Sequence, residues 1–343
     1  MSVLTPEILR EKLNRAEARP IYSLEECGRM VPIIQEIEEL KRNRKATIIV
    51  HNYPRAILKV IADYVGDSLE LAYKAKEAKD IDVIVLVGVR FMAETAKLVN
   101  PNKIVLLPNS AAGCSLADSA PVIPVIEKVD ELRKEYGDDF AVACYVNTSA
   151  EVKAECDVCV TSSSFIKVLS KLPQRHILFL PDQHLAEQAA EALKDQKHII
   201  SWQGNCYVHH AITKEQILAL KEQYPDAPIA VHPECKAEVK ELADVIASTS
   251  KMLEFAKNSN ASRIIMVTEC GLAQRARLEI QRPIEVHGGC FFCAFMQTNT
   301  LEDVLHSLRE MKEQIELSSY VQERARKAIE RMFELMKNYC CYF

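Results

Sequence analysis

The sequence predicts an α/β protein of three pseudo-symmetric Rossmann-like units, each a three-layer αβα sandwich, arranged around one central active site. Two observations predict this class. Buried, β-branched strands alternate with amphipathic helices along the chain, as in layered α/β folds. In addition, four kinds of anchor residue recur in one register, with offsets of 92–94 residues and then 87. Four anchors in a common register make coincidence improbable.

The first two anchors follow the first strand of each unit. The strands TIIVH, FAVACY and PIAVH close at His51, Tyr145 and His232. Seventeen residues later comes a hydroxyl, with an aspartate five residues before it; these pairs are Asp63 and Ser68, Asp157 and Ser162, and Asp244 and Thr249. The spacing predicts that each unit begins in the same way.

The remaining anchors follow the second and third strands. The runs IVLVG, ILFLP and IIMVT lead into helices that open with similar triplets, Met92-Ala93-Glu94, Leu185-Ala186-Glu187 and Leu272-Ala273-Gln274. A third set of strands leads to Cys114, Cys206 and Cys293. Each copy is therefore β-α-β-α-β, which predicts a parallel sheet with right-handed crossovers. Because ligands bind outside the carboxyl ends of such strands, the anchors should meet in one pocket.

Domain boundaries follow from the repeat. We expect residues 1–120 to form the first unit with N-terminal helices, residues 121–210 the second and residues 211–296 the third. The outer segments 1–43 and 297–338 have charged amphipathic helical patterns. We expect them to wrap the first unit, which the C-terminal helices of residues 297–343 would complete.

Composition excludes several classes of protein. The net charge is −5 and basic residues are scattered, so nucleic acid is a poor candidate partner. No apolar run reaches the roughly 18 residues that span a bilayer. The first twenty residues have no secretion pattern, and with twelve cysteines this predicts a cytoplasmic protein with reduced thiols. Neither G-x-G-x-x-G nor a P-loop occurs, so dinucleotide or P-loop binding is unsupported.

Three cysteines from equivalent strand ends suggest a metal centre. Three thiolates around one point suit a [4Fe–4S] cluster with one open iron, which can act as a Lewis acid. Zinc is the rival, since Cys290-Phe-Phe-Cys293 has zinc-like spacing, and a redox-active disulfide of this pair is a further alternative. For any single cysteine, the alternative is an inert core thiol.

The polar residues at the strand ends suggest acid–base chemistry on a small anion. The hydroxyls should lie at helix N-termini, which favour carboxylate or phosphate groups, although simple N-capping is the alternative. The first-strand ends supply His51, Tyr53, Tyr145, Asn147, His232 and Glu234. Glu234 is the best general-base candidate, and a plain polar turn is the alternative interpretation of His-Pro-Glu.

These residues closely resemble the quinolinate synthase family of iron–sulfur enzymes in NAD biosynthesis. The matching stretches are HNY (51–53), ADYVGDS (62–68), GVRFMAETAK (88–97), AAGC (111–114), YVNTSAEVKA (145–154), VTSS (160–163), WQGNCYVH (202–209), VHPEC (231–235), ASTS (247–250), VTE (267–269) and CAFMQTNTLE (293–302). Departures are Ala247, where the family usually has Gly, and PDQHL in place of PDxNL. They put local geometry in question, not the activity.

The resemblance implies a reaction and a site. Iminosuccinate and dihydroxyacetone phosphate would condense to quinolinate, phosphate and water, and functional coupling to an aspartate-oxidising enzyme is a further expectation. The implied ligands of one [4Fe–4S] cluster are Cys114, Cys206 and Cys293, the last preferred to Cys290 because it opens the family's C-x-x-M stretch. The implied catalytic residues are Glu234 as acid/base, Tyr53, Tyr145 and His232. The implied substrate-binding residues are His51, Ser68, Tyr145, Val146, Asn147, Ser162, His232, Pro233, Glu234, Ser248 and Thr249.

Three rival functions remain open at the level of sequence. A hydro-lyase would use the same open iron on a hydroxy acid. An iron–sulfur sensor or electron carrier would have a fully ligated cluster and no substrate. A scaffold or zinc protein would keep the cysteines in its core or on zinc.

Overall fold

Three separate parallel sheets form the frame of the protein. The computed structural model describes residues 4–77, 80–280, 284–288 and 291–337. Each sheet has four strands, and the strand orders are β2-β1-β3-β4, β6-β5-β7-β8 and β10-β9-β11-β12. Every pairing of these strands is parallel. The prediction of three similar αβα units is therefore confirmed.

The elements follow one another in the same order in each unit. The first unit contains α1 (Pro6–Ala16), α2 (Leu24–Asn43), β1 (Ala46–His51), α3 (Ala56–Val60), β2 (Tyr64–Gly66), α4 (Ser68–Glu77), β3 (Val83–Val87), α5 (Arg90–Val99), β4 (Ile104–Leu106) and α6 (Ser115–Asp118). The second contains α7 (Val122–Tyr136), a 3-10 turn (Gly137–Asp139), β5 (Phe140–Tyr145), α8 (Ala150–Ala154), β6 (Val158–Val160), α9 (Phe165–Ser170), β7 (His176–Leu180), α10 (Gln183–Ala192), β8 (His198–Ser201) and α11 (Tyr207–His210).

The third unit is followed by two further helices. It contains α12 (Lys214–Gln223), β9 (Ile229–Val231), α13 (Ala237–Lys240), β10 (Val245–Ile246), α14 (Thr249–Asn258), β11 (Arg263–Val267), α15 (Gly271–Glu279), β12 (Glu285–Gly288) and α16 (Ala294–Gln297). Then come α17 (Leu301–Glu310) and α18 (Ser319–Lys337). None of the helices in the described part of the chain combines the length and apolar character needed to span a bilayer.

Alternation along the first strand shows how each sheet is covered on both faces. All six residues of β1 are buried. Ile48 and Val50 pack in an apolar cluster with residues of α1, α2 and α17, whereas Ile49 belongs to a different cluster. Successive side chains of a strand point to opposite faces, so one strand contributes to two apolar layers. This is why the strands are continuously apolar, as expected for a doubly covered parallel sheet.

A repeated aspartate closes each unit in the same way. The Oδ2 atoms of Asp63, Asp157 and Asp244 accept hydrogen bonds from the backbone N–H groups of Ile48 (2.8 Å), Val142 (2.8 Å) and Ile229 (2.7 Å). In return, the N–H of each aspartate donates to the carbonyl of the same strand residue, at 2.8–2.9 Å. The repeated aspartate therefore provides hydrogen-bond partners for both the N–H and the carbonyl of one residue in the first strand. It does so just before the next strand, β2, β6 or β10, begins.

A repeated lysine was not predicted from the sequence. The Nζ atoms of Lys59, Lys153 and Lys240 donate to backbone carbonyls of the loop after the first strand, those of Pro54, Thr148 and Pro233. Lys59 and Lys153 are buried. The lysine side chain thus ties the helix back to the loop that follows each first strand, and this loop carries the polar anchors.

The last helix, α18, packs against a different unit from the one predicted. Helix α17 packs against α2, as expected for the first unit, but α18 packs against α8 and β6 of the second unit. Its buried face includes Ala325, Ala328, Ile329 and Met332, which belong to the apolar cluster of the second sheet. Small alanines allow a close approach to α8. The expectation that all C-terminal helices wrap the first unit is therefore wrong for α18.

Candidate active site

One cavity of about 330 Å³ lies where the three units meet. Most of the predicted site residues line it, and they come from the carboxyl ends of strands in all three sheets, as the repeat predicts. These residues are His51, Tyr53, Cys114, Tyr145, Val146, Asn147, Ser162, Cys206, His232, Glu234, Ser248, Thr249 and Cys293. Pro233 does not line the cavity, and its carbonyl accepts a hydrogen bond from Lys240 Nζ at 3.3 Å.

Some expected residues lie outside the described part of the chain. The side chain of Ser68 is among them, although its backbone begins α4. Cys290, Cys340 and Cys341 are also outside the described residues. The predicted role of Ser68 in substrate binding stays a prediction, and the zinc and disulfide alternatives for Cys290 stay open.

The three cysteines occupy equivalent positions in the three units. Each is the N-cap residue of a four-residue helix: Cys114 of α6, Cys206 of α11 and Cys293 of α16. Burial raises the pKa of all three thiols, to about 12 for Cys114. Two backbone N–H groups of the following helix oppose that rise in every case. N–H donors aimed at a sulfur stabilise its thiolate form, which is the form that binds metal.

The donor set fits an iron–sulfur cluster held by three cysteines. Three sulfurs, one from each unit, face one cavity that has room for a further ligand. Thiolates are the usual ligands of such clusters, and a fourth position would be left for substrate. Residues Cys114, Cys206 and Cys293 are therefore the ones that could hold it.

Glu234 is the most tightly held carboxylate in the cavity. It is 3% exposed. Its Oε1 accepts from Tyr145 Oη at 2.8 Å and from Asn147 Nδ2 at 3.4 Å, while its Oε2 lies 2.9 Å from His209 Nδ1. Burial raises the pKa of this carboxyl, but His232, His209 and the hydrogen bonds outweigh it and lower the pKa to about 2. Glu234 is therefore ionised and has free lone pairs, but a pKa this low makes it a weak base until a bound substrate changes its surroundings.

His51 and His232 are equivalent residues held in the same tautomer. The Nδ1 of His51 accepts from the N–H of Tyr53 at 3.4 Å, and the Nδ1 of His232 accepts from the N–H of Glu234 at 3.3 Å. Burial is the main cause that lowers the pKa of each to about 3. Both rings are thus neutral, and the proton on Nε2 is available to donate to an anion.

A hydrogen-bond chain connects the two tyrosines. From Glu234, the chain passes through His209, whose Nε2 lies 2.9 Å from Thr268 Oγ1, and Thr268 Oγ1 lies 2.8 Å from Tyr53 Oη. Burial and the nearby Glu234 charge raise the pKa of both Tyr53 and Tyr145, so the phenols keep their protons. The chain Tyr145–Glu234–His209–Thr268–Tyr53 therefore offers a buried path for protons between two donors.

Sequence reasoning missed His209 and Thr268 as functional residues. Both lie inside quoted motifs, WQGNCYVH and VTE, but neither is repeated. The residues equivalent to His209 are Ala117 and Met296, at the same offsets from it as between the cysteines. A search based on the internal repeat has no signal for such positions.

Tyr53 is positioned by close backbone packing. Gly271, the first residue of α15, lies so near that a Cβ there would be 1.9 Å from the Tyr53 carbonyl oxygen. The same carbonyl accepts from Gln297 Nε2 at 3.0 Å. The first unit's loop is thereby fixed against the third unit.

The hydroxyl anchors differ in detail. Thr249 begins α14, and its Oγ1 accepts from Asn52 Nδ2 at 2.8 Å. Ser162 does not begin a helix, because α9 begins at Phe165. Instead Thr161, Ser163 and Ser164 form a hydroxyl-rich turn, with Thr161 N–H donating to Ser164 Oγ at 2.9 Å. The predicted helix start therefore holds for Thr249 and not for Ser162.

Two further buried carboxyl groups were missed. Asp182 and Glu269 occupy equivalent positions after β7 and β11, and both are about 1% exposed or less. Burial raises the pKa of each carboxyl. Asp182 caps α10 through Oδ1, 2.9 Å from Leu185 N–H, and its Oδ2 has no partner among the described residues.

The comparisons with known proteins identify the family of the chain. Residues 35–334 match the family model described as quinolinate synthetase A protein. The chain is 44% identical over 309 residues to a quinolinate synthase of Aquifex aeolicus, with 88% of this chain and 93% of the relative covered. It is 42% identical over 305 residues to one of Caldicellulosiruptor saccharolyticus (88% and 98% covered) and 40% over 333 residues to one of Sinorhizobium fredii (96% and 90%). The chain therefore belongs to the quinolinate synthetase A family.

Proposed function

We propose that the protein is a quinolinate synthase that condenses iminosuccinate with dihydroxyacetone phosphate, with loss of phosphate and water. The observation that carries this proposal is that three equivalent cysteines and the Glu234–Tyr145 pair share one cavity. A redox carrier with a fully ligated cluster has no need of a buried carboxylate and neutral histidines at such a site. The enzyme would accordingly be a transferase of NAD biosynthesis in the cytoplasm, supplied with iminosuccinate by an aspartate-oxidising enzyme.

The cofactor of the proposal is one [4Fe–4S] cluster bound by Cys114, Cys206 and Cys293. When bound, it supplies an iron with an open coordination position, which polarises substrate oxygens as a Lewis acid. Burial alone keeps these thiols protonated, whereas a bound metal would stabilise them as thiolates.

Anion binding is assigned to the remaining residues around the cavity. Two carboxylates and one phosphate must be held, and the neutral rings of His51 and His232 donate from Nε2. Asn147 and the hydroxyls of Ser162, Ser248 and Thr249 add further hydrogen-bonding groups. Backbone N–H groups at the start of α14 favour negative charge. Val146 contributes an apolar wall. The role of Ser68 stays a prediction from the resemblance, and Pro233 is left out of the set because it does not line the cavity.

Proton transfer is assigned to Glu234 and the two tyrosines. Ionised Glu234 takes a proton from the carbon or nitrogen that reacts, and the phenols of Tyr53 and Tyr145 donate to the oxygen that leaves as water. His209 and Thr268 connect these groups, so a proton taken on one side of the cavity can be returned on the other. His232 lies two residues before Glu234 in the same loop, and we assign it to the same proton transfer.

Anaerobic reconstitution with iron and sulfide tests the proposal. We expect wild type to gain four irons and to form quinolinate, and Cys114→Ala, Cys206→Ala and Cys293→Ala to lose both. Cys144→Ala and Cys235→Ala are the controls, since both thiols are buried outside the cavity, and they should keep cluster and product. A cluster-loaded wild type that yields no quinolinate, or an active metal-free preparation, would overturn it.

A further inference from the structure

A second metal-binding arrangement overlaps one corner of the site. Cys206, His209 and Glu234 form the only group of three or more potential ligands found among the described residues, with ligand atoms within 4.8 Å of one another. His209 and Glu234 are buried and Cys206 is partly buried. Only one of the three, Cys206, belongs to the cysteine set that faces the proposed cluster. The group therefore has a different chemistry, with one sulfur, one nitrogen and one oxygen.

The spacing of these atoms suits a single small ion. His209 Nδ1 lies 3.3 Å from Cys206 Sγ and 2.9 Å from Glu234 Oε2. Around a tetrahedral zinc ion with usual bond lengths, nitrogen and sulfur are about 3.6 Å apart, and nitrogen and oxygen about 3.3 Å apart. For these two pairs of atoms the separation would grow by only about 0.3–0.4 Å. The third pair, Cys206 Sγ and a Glu234 carboxylate oxygen, lies within 4.8 Å.

The outer atoms of these side chains are already engaged, so their inner atoms are directed at one point. His209 uses Nε2 toward Thr268 Oγ1 at 2.9 Å, which leaves Nδ1 for a metal. Glu234 uses Oε1 to accept from Tyr145 and Asn147, which leaves Oε2. A metal-binding histidine typically has its second nitrogen fixed in this way, and such partners strengthen metal binding.

We propose that the cluster-free chain binds one Zn²⁺ through Cys206 Sγ, His209 Nδ1 and Glu234 Oε2. The cavity supplies the fourth position, for water or a small anion. Binding displaces the thiol proton of Cys206 to solvent, while the single ring proton of His209 moves from Nδ1 to Nε2 and is there donated to Thr268 Oγ1. Sulfur, nitrogen and carboxylate oxygen are all accepted by zinc, and three protein ligands with one open position are usual for an accessible zinc site.

Zinc and the iron–sulfur cluster then exclude each other, because both need the Cys206 thiolate. This consequence, unlike zinc binding itself, rests on the proposed function. Zinc would also hold Glu234 away from its role as a base. The zinc-bound chain is therefore an inactive form that must lose its metal before a cluster can be assembled.

The test uses a full-length Cys114→Ala/Cys293→Ala chain, which retains only one of the three cluster cysteines. We expect this parent, freed of metal, to bind one Zn²⁺ per chain in a calorimetric titration. With Co²⁺ in place of zinc, it should show a thiolate-to-cobalt charge-transfer band and the visible bands of a four-coordinate ion. A folded parent that binds no zinc would overturn the proposal.

Ligand variants in the same parent assign the site. Cys206→Ser should abolish the charge-transfer band, and His209→Asn and Glu234→Gln should weaken zinc binding at least about 100-fold. Thr268→Val, which keeps all three ligands, should weaken it about 10–100-fold, and Thr268→Ser should restore it. Glu187→Gln, at an exposed carboxylate beside His184, is the matched control. Unchanged zinc affinity in the Cys206 and His209 variants would place the ion elsewhere and overturn the proposal.

Competition separates this proposal from that of the cluster. Wild-type chain preloaded with Zn²⁺ should take up iron and sulfide anaerobically only after a chelator removes the zinc. If zinc binds as proposed but no cluster forms in zinc-free chain, the proposed cofactor fails and the zinc site stands. If both metals bind together in one chain, the shared role of Cys206 is wrong.

Discussion

At the scale of single residues, the site combines charged and neutral groups whose states are set by burial. Glu234 stays ionised because histidines and hydrogen bonds outweigh its desolvation, whereas Tyr53 and Tyr145 stay protonated because burial opposes their charge. Groups whose environments drive them to opposite protonation states are suited to acid and base roles. The same principle keeps His51 and His232 neutral, as donors and not as cations.

Replacement of Glu234 by glutamine tests its role as the base. The amide keeps the shape and still accepts a hydrogen bond from Tyr145, but it does not take a proton. We expect kcat for quinolinate formation to fall about 10²–10⁴-fold, with iron content and cluster spectrum unchanged. Glu191→Gln, at an exposed residue of α10, is the control. A Glu234→Gln enzyme with wild-type kcat would remove Glu234 from the mechanism.

The neutral histidines predict a pH dependence of stability. Their pKa in the folded chain is about 3, against an unfolded value near 6.5, so below pH 6.5 the unfolded chain binds more protons and stability falls with falling pH. Each should cost about 2 kcal/mol between pH 7 and pH 5. Urea unfolding of the cluster-free chain should show that His51→Asn, which keeps an acceptor for Tyr53 N–H, removes about that much of the dependence. An unaltered pH profile in His51→Asn would show that the pKa of His51 is the same in the folded and the unfolded chain.

At the scale of elements, the repeat predicted three similar units but not every feature that they share. The repeated lysines Lys59, Lys153 and Lys240 were not predicted. The strand-end polar residues and the three cysteines follow from the register of the sequence. The sequence predicted three strands in each unit, but each sheet has four, because the short strands β2, β6 and β10 were missed. His209 and Thr268 could not be found in that way, since they break the pseudo-symmetry. Helix α9 begins at Phe165 and not at Ser162 as predicted. The hydroxyl-bearing residues after β6 instead form a turn in which a side-chain oxygen bonds to the local backbone.

The repeated aspartate should contribute equally in each unit. Asp157→Ala removes the acceptor of the Val142 N–H in the central strand β5 and leaves that donor without a partner. We expect a loss of about 1–3 kcal/mol in the free energy of unfolding, and a similar loss for Asp63→Ala and Asp244→Ala. Asp138→Ala, in the 3-10 turn before β5, is the comparison. Chemical denaturation measures all four, and a neutral Asp157→Ala would contradict a structural role for the repeat.

At the scale of the whole molecule, the units are joined by more than a shared cavity. One apolar cluster contains residues from the first and third units together, including Ile49, Met92, Met252 and Leu272. Helix α18 in turn covers the second unit. The surface against which α18 packs could not be predicted. An amphipathic pattern shows which face of a helix is apolar but not which part of the protein that face contacts.

Disruption of the α18 interface should destabilise the second unit. Ala328 is 1% exposed, and Ala328→Glu places a charge against α8 and β6, so we expect a loss of at least about 2 kcal/mol and a lower melting temperature. Lys327→Glu, at the exposed neighbouring position, introduces a carboxylate without burial; it also removes the exposed ion pair with Glu323, which contributes at most about 1 kcal/mol. Differential scanning fluorimetry distinguishes them, and equal melting temperatures would mean that α18 does not stabilise this unit.

The position of α18 also determines at what stage of synthesis the cavity is complete. Met332, Phe333 and Met336 of this helix line the same cavity as the cysteines and Glu234, with Phe333 packed edge-on against Tyr73 at 4.7 Å between ring centroids. The ribosome synthesises α18 after all the other described residues that line the cavity. Until α18 has been synthesised, this part of the cavity wall is missing. A metal ion that reaches the cysteines of the nascent chain before then meets an incomplete site.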